Sequence, residues 1–193
     1  MLIHREALAL ANNATDESDG RYCLQFVKIE KNGTVVVTDG HHFLRMKALV
    51  DEPSLLDAML PAEQRENAAD ALVPADVLTS FAAAIKKMDD KAHVVISTNK
   101  DTITLASTDG ICERTFVSKP PDLPFPDVNK VAQKKPAVTV VLSVELLTKV
   151  LRTLKAAGAT SVKFGIKDDV SPIGLNAFTE AGLIDGAIMP MRE

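Results

Sequence analysis

The sequence predicts an α+β chain of three helix-plus-antiparallel-sheet units. Three observations predict it. The same order of signals, an amphipathic helix, a β-rich run, a turn and another β-rich run, occurs three times along the chain. Short turn signals rather than helices separate the paired β-rich runs, as in antiparallel hairpins. With 46% hydrophobic and 25% charged residues in 193, the chain has enough apolar surface to build a core.

The first copy opens at Ile3 to Ala14, where Ile3, Ala7, Leu10 and Ala11 share one face at helical spacing and the polar run TDESDG ends the pattern. RYCLQFVKIE and TVVVTDGHHFLRMKALV follow as strands, with Asn32-Gly33 as the hairpin turn. The second copy begins at Val73-Pro74, with proline in the first helical turn and Asp76 where the helix dipole favours an anion. Val77, Leu78, Phe81 and Ile85 make its apolar stripe. HVVISTN, TITLAST and ICERTFVSK are its strands, joined at Lys100-Asp101 and Asp109-Gly110, and PPDLPFPDV stops the pattern.

The third copy runs from TVVLS into a helix with Ser143 as N-cap, Glu145 in the first turn, a stripe of Leu146, Leu147, Val150, Leu151 and Leu154, and Gly158 at its C-terminal end. SVKFGIK, PIGLNAF and GAIMPM close it as strands. A single such unit has one apolar sheet face and cannot bury it alone. Two units therefore make a domain and the third is left over; the expected domains are 1–133 and 134–193.

Composition excludes several classes of function. The 22 Lys and Arg against 26 Asp and Glu give a net charge of −4, which disfavours a protein that grips nucleic acid through overall attraction to phosphates. Cys23 and Cys112 lie far apart with no CxxC spacing, so neither a disulfide framework nor a zinc ribbon is signalled. The start, MLIHREALALANN, has no apolar core of the kind a signal peptide needs, and no run of eighteen apolar residues occurs. A soluble, cytoplasmic chain is the expectation.

In order along the chain, RYCLQFV, TDGHHF, LPFPDVNKV and the terminal MPMR, with helices between them, resemble the bacterial DNA polymerase III β sliding clamp family. The resemblance runs from Ile3 to Arg192. It implies the DNA-clamp fold, with residues 1–133 similar to the middle domain of a clamp subunit and 134–193 similar to the C-terminal half of its third domain, so that the chain reads as a truncated, clamp-like protein. In the family, a groove between the middle domain and the C-terminal strands captures short Leu- and Phe-containing peptides of polymerases, clamp loaders and repair proteins. Carried onto this sequence, that groove is lined by Leu24, Thr38, Gly40, His41, His42, Phe43, Pro126, Val131, Val170, Pro172, Ala187, Met189, Pro190, Met191 and Arg192. Where the family usually has Arg and then Leu after its Gly-His pair, this chain has His42 and Phe43, a shorter donor and a bulkier ring.

The resemblance also implies partners and assembly. Lys149, Arg152 and Lys155 recur every third residue on one helix face, and Lys86 and Lys87 cluster at the end of the second helix; in clamps such helices face the DNA backbone. At a helix C-terminus the same cations also suit the dipole and solubility. A clamp ring is built of paired units, and a chain with three cannot close a simple cyclic ring while keeping identical chains in identical environments. A monomer or a two-fold homodimer, burying the exposed sides of the Leu-rich third helices, is therefore expected, with weak binding to double-stranded DNA and no membrane partner. Such a protein acts either as a processivity factor or as a decoy or regulator of a full-length clamp.

An enzyme is the competing class. The sequence has no GxSxG elbow, no Gly-rich phosphate loop and no HExxH, and Asp39 with His41 is the closest acid and base. Adjacent His41 and His42 on a strand would point to opposite faces and chelate one ion poorly. No metal, no cofactor and no catalysis are expected.

Overall fold

The computed structural model describes residues 2–15, 22–46, 70–88, 93–99, 102–108, 113–130, 132 and 136–191. It divides into two compact units, Met1–Lys130 and Val131–Glu193.

The first unit contains two antiparallel four-stranded sheets built from copies one and two. Copy one supplies β1 (Leu2–His4), a 3₁₀-helix (Arg5–Asn13), β2 (Phe26–Ile29), β3 (Val35–Thr38) and β4 (Phe43–Met46). Copy two supplies β5 (Ala71–Pro74), α1 (Ala75–Ala84), β6 (His93–Thr98), β7 (Ile103–Thr108) and β8 (Glu113–Ser118). The sheet orders are β1-β6-β7-β8 and β4-β3-β2-β5. Each copy therefore lends its leading strand to the other copy's sheet. His4 stands opposite His93, and Pro74 opposite Phe26, so in both exchanges the residue just before the helix meets the first residue of the other copy's first hairpin strand.

This exchange corrects two expectations. Ile3 lies in β1 rather than in the helix, because its backbone pairs with Val94. The helix that follows winds as 3₁₀, which eclipses residues three apart and stacks Leu8 over Ala11; Ala7, Leu8 and Ala11 are its buried residues and Leu10 packs at the edge of the core. Val73 and Pro74 end β5 rather than open α1, and proline is tolerated there because β5 is an edge strand that needs no further donor. A third correction concerns RYCLQ, whose Tyr22–Gln25 forms a 3₁₀ turn, with the Tyr22 ring edge-on to Phe26 at 5.2 Å. The long run TVVVTDGHHFLRM breaks at Asp39–His42 into β3 and β4. The Asn32-Gly33 hairpin forms as read, with Asn32 Oδ1 accepting from Thr34 N at 2.9 Å. Lys100-Asp101 and Asp109-Gly110 lie outside the described residues.

α1 buries three of the four stripe residues that spacing predicts, with Val77 partly buried beside them. Leu78, Phe81 and Ile85 are each at most 1% exposed, in a core with Val27, Ile29, Val35, Val73, Val94, Ile96, Ile103 and Leu105 from both sheets. Phe81 meets Phe116 edge-to-face at 5.3 Å. The two helices run antiparallel: Arg5, at the start of the first, donates to the carbonyls of Lys86 and Met88 beyond the end of α1 at 2.8 and 2.9 Å. Lys28 Nζ lies 2.9 Å from Asp70 Oδ2, and Lys31 N donates to Asp70 Oδ1, which ties the start of the exchanged β5 to β2.

The second unit is copy three alone. α2 (Val144–Ala156) has Ser143 Oγ accepting from Leu146 N at 3.2 Å, and it ends at Gly158, whose φ of +87° a residue with a side chain rarely adopts. β9 (Lys163–Gly165), β10 (Ile173–Thr179) and β11 (Gly182–Ile188) form one antiparallel sheet in the order β11-β10-β9. Its core is small: Leu154, Leu175, Ala177 and Ile188 are buried, with Leu147 and Val150 packed beside them.

Two outcomes test this architecture. Phe81→Ala should cost the first unit about 3–5 kcal/mol, because it empties a fully buried site shared by both copies, and urea unfolding reads that loss. Asp70→Asn should cost under about 1 kcal/mol at neutral pH, since the pair is partly exposed. Burial works to raise the Asp70 pKa, but the Lys28 hydrogen bond and the Lys31 N–H outweigh it and the net direction is down, while the Asp70 hydrogen bond raises Lys28. The pair's contribution is thus complete between the ordinary carboxylate and lysine values and is lost as pH falls through the lowered Asp70 pKa or rises through the raised Lys28 pKa. Wild type and Asp70→Asn should converge in stability in acid.

Candidate functional site

In the first unit the candidate residues gather on the β3–β4 turn and the segment packed beside it. Gly40, at φ +86°, allows the chain to reverse within TDGHH. Asp39 Oδ1 accepts from the backbone N–H of both His41 and His42 at 2.8 Å each, and its Oδ2 lies 3.0 Å from His42 Nδ1. Thr38 Oγ1 donates to His42 O at 2.6 Å and accepts from Gly40 N at 3.1 Å. The N–H of His42 and then that of His41 hold the Asp39 carboxyl below its usual value. His42 Nε2 lies 3.3 Å from Asn13 Oδ1, which ties the turn to the end of the first helix.

Phe43 is half-buried, with the Arg45 guanidinium 5.9 Å from its ring centroid. Arg45 Nη2 donates to Asn129 Oδ1 at 2.7 Å and so fastens the Pro126–Lys130 segment against β4. Val128 of that segment is buried and Pro126 is exposed. Leu24 is also buried. Gly40, His41 and His42 are exposed and Thr38 is buried.

In the second unit, register assembles the other candidates. Ile173 stands opposite Ile188 and Gly174 opposite Ala187, and Pro172 and Met189 are the next residues beyond the end of that ladder. Val170, Met189 and Met191 are 64%, 61% and 53% exposed; Pro172 and Ala187 are exposed and Pro190 is half-buried. Two devices hold this backbone. Asp168 Oδ1 accepts from Val170 N at 3.1 Å and from Ser171 N, and Ser171 Oγ donates to Asp168 Oδ2 at 2.7 Å. The Ser171 hydroxyl is the main cause that lowers the Asp168 pKa. Met191 N donates to Val141 O at 2.8 Å, pinning the tail to the segment before α2. Lys149, Arg152 and Lys155 are exposed on α2, and Lys86 and Lys87 are exposed beyond α1. Val131, Arg192 and Cys112 lie outside the described residues.

The acid–base reading of Asp39 with His41 is corrected by this geometry: the carboxylate takes the backbone of His41, and the imidazole it meets is that of His42. Asp39 organises its own turn. Among the described residues no three His, Cys, Asp or Glu side chains stand where they could hold a metal, and no helix is long and apolar enough to cross a membrane. Asn13, Arg45, Asn129 and Asp168 were not picked out by sequence. Arg45 could have been, since it lies two residues beyond Phe43 on the same strand face, and so could Asp168, two residues before Val170 in an Asx-turn spacing.

The fold is that of a DNA clamp. The chain is similar to the DNA polymerase sliding clamp of Pseudomonas aeruginosa, solved with a ligand, at a TM-score of 0.73 and 18% identity over 100% of this chain and 51% of that one. It is similar to the DNA polymerase III β chain of Streptococcus pneumoniae TIGR4 at a TM-score of 0.71 and 17% identity, covering 100% and 49%. A third similarity, to a DNA polymerase III β subunit homologue of Eubacterium rectale, has a TM-score of 0.70 at 13% identity and covers 98% and 50%. Another Pseudomonas aeruginosa clamp, at 18% identity and a TM-score of 0.70, is bound to griselimycin. The chain spans about half the length of the solved clamps it matches. No protein-family model matches the sequence, and no curated protein matches it.

Asp39→Ala should loosen the β3–β4 turn and shift the amide resonances of His41 and His42, whereas Asp39→Asn keeps an acceptor and shifts them less. Because the fold lowers the Asp39 pKa, the turn is stabilised above the ordinary carboxylate value and loses that stabilisation as pH falls through the lowered one. In the wild type an NMR pH titration that follows the Asp39 side-chain carboxyl carbon should show it titrating below the ordinary carboxylate value.

Proposed function

We propose that the protein is a non-catalytic, clamp-like factor that binds short linear peptides of the kind carried by DNA polymerases, clamp loaders and repair proteins. The observation that carries this reading is the exposure of Val170, Met189 and Met191 on backbone held by Asp168 and by the Val141 carbonyl. Large apolar side chains kept in water on an ordered scaffold are the usual mark of a surface that closes on a partner. Methionine, unbranched and polarisable, adapts to irregular partner side chains. On the first unit, half-buried Phe43 beneath Arg45 and exposed Pro126 offer apolar chemistry of their own.

Each partner Leu or Phe sunk into such a trough contributes roughly 1.5–3 kcal/mol. A peptide with two anchors then binds weakly enough to exchange, which suits a tether that hands one enzyme over to another. Double-stranded DNA is a second, weaker partner in this reading, met by exposed Lys149, Arg152 and Lys155 against an overall charge of −4.

Titrating a fluorescently labelled clamp-binding peptide tests the proposal. Saturable binding is expected, and Met191→Asp or Phe43→Asp should weaken it by roughly tenfold or more; Met191→Asp should do so without lowering the melting temperature, because that side chain is 53% exposed in the free protein. No saturation at high micromolar protein would overturn it. DNA affinity should fall steeply with added salt, and Lys149→Glu with Arg152→Glu should flatten that slope.

A further inference from the structure

We propose that the third copy completes its domain with a second molecule of this chain, by exchanging leading segments between two α2-bearing units about a two-fold axis. The template is inside the molecule. In the first unit β1 is completed by β6 and β5 by β2, each strand crossing to the other copy. Copy three has the same two halves of that joint. Its leading segment, residues 138–142, forms no strand, and among the described residues β9, the counterpart of β2 and β6, pairs with β10 alone. All three residues of β9 are exposed, including Phe164 at 40%.

The helix carries the same signature. Counted from the first helical residue, Leu147, Val150 and Leu154 of α2 stand where α1 has Leu78, Phe81 and Ile85, and Leu146 and Leu151 stand where α1 has Val77 and Ala82. In the first unit all five of those α1 side chains pack into a core that includes the first helix. In copy three Leu146 and Leu151 are left 41% and 39% exposed. A second α2 is the element that fits them, because the first unit packs its two helices against each other. That packing is antiparallel: Ala75, Asp76 and Thr79 at the start of α1 line one cavity with Ala11, Asn12, Ala14 and Thr15 at the end of the first helix. Two α2 helices laid that way bring Glu145, in the first turn of one, to Lys155, in the last turn of the other, twice over. The charges are complementary.

The register is specified as well. If the residue before the helix again meets the first residue of the hairpin strand, Ser143 faces Lys163 of the second copy, Leu142 faces Phe164 and Val141 faces Gly165. The Val141 carbonyl already accepts from Met191 N, so in an extended chain the polar groups of Val140 and Leu142 point to the opposite edge, where β9 of the second copy would lie. Val141 and Gly165 then form a non-hydrogen-bonded pair, the closer kind. This inference is independent of the peptide-binding proposal; either can fail alone.

Light scattering on the full chain should give twice its 20.8 kDa at micromolar concentration. Leu146→Asp with Leu151→Asp should return it to a monomer with unchanged helical circular dichroism, since both side chains are accessible in the single unit. Val141→Cys with Gly165→Cys should form a covalent dimer on mild oxidation, because a Cβ at Gly165 meets nothing nearer than Gly174 O at 4.0 Å. Val140→Cys with Gly165→Cys, one residue out of register and on the other face, should not. A chain that stays monomeric at ~100 μM, far above the dissociation constant of a specific interface of ordinary size, overturns the proposal. So does a dimer that survives the Leu146 and Leu151 changes, or one that cross-links equally well in both registers.

Discussion

The exchange of leading strands between two copies of one unit is the constraint from which the rest of the first unit follows. Each copy alone has a sheet with one apolar face and a helix too short to cover it. Crossing β1 and β5 between copies makes every sheet dependent on both, and it delivers the following helix directly onto the shared core. The two sheets therefore cannot separate without breaking backbone hydrogen bonds at β1·β6 and β2·β5 as well as exposing Phe81, Leu78 and Ile85. The Lys28–Asp70 contact sits at one of these joints, where a modest surface pair helps hold register rather than supplying stability.

Copy three repeats the local recipe without a partner inside the chain's described residues, and its burial shows the difference. The stripe on α2 is as apolar as that on α1, yet Leu154 is its one fully enclosed member. A unit with so small a core must hold its exposed surfaces by local means. It does so with polar devices that need no interior: Ser143 at the start of α2, Asp168 across the loop to Ser171, and the Val141 carbonyl on the tail. These fix where Val170, Met189 and Met191 stand in water.

The same logic governs the β3–β4 turn of the first unit. Asp39 spends both oxygens on its own loop and on His42, which leaves it ordered and explains why an acid beside two histidines is a structural element here. Phe43 and Arg45 leave this turn on one face, and Asn129 joins them from eighty-four residues beyond Arg45.

Periodicity and turn chemistry in the sequence were sufficient for the α+β class, the three copies, most of the α1 stripe, the Ser143 cap and the Asn32-Gly33 hairpin, because each depends on residues within a few positions of one another. The quoted segments were also sufficient for the clamp fold, since their order along the chain reflects the order of its elements. Local pattern could not show that Ile3 and Val73-Pro74 belong to strands, because their partners, Val94 and the Phe26–Val27 stretch, lie far away in sequence and backbone pairing with them outweighs local helical preference. Nor could it choose His42 over His41 as the neighbour of Asp39, or bring Asn129 to Arg45. Those choices belong to tertiary structure: which backbone edges meet, and which side chains a turn of given shape leaves within reach, are decided only when the two copies close on each other.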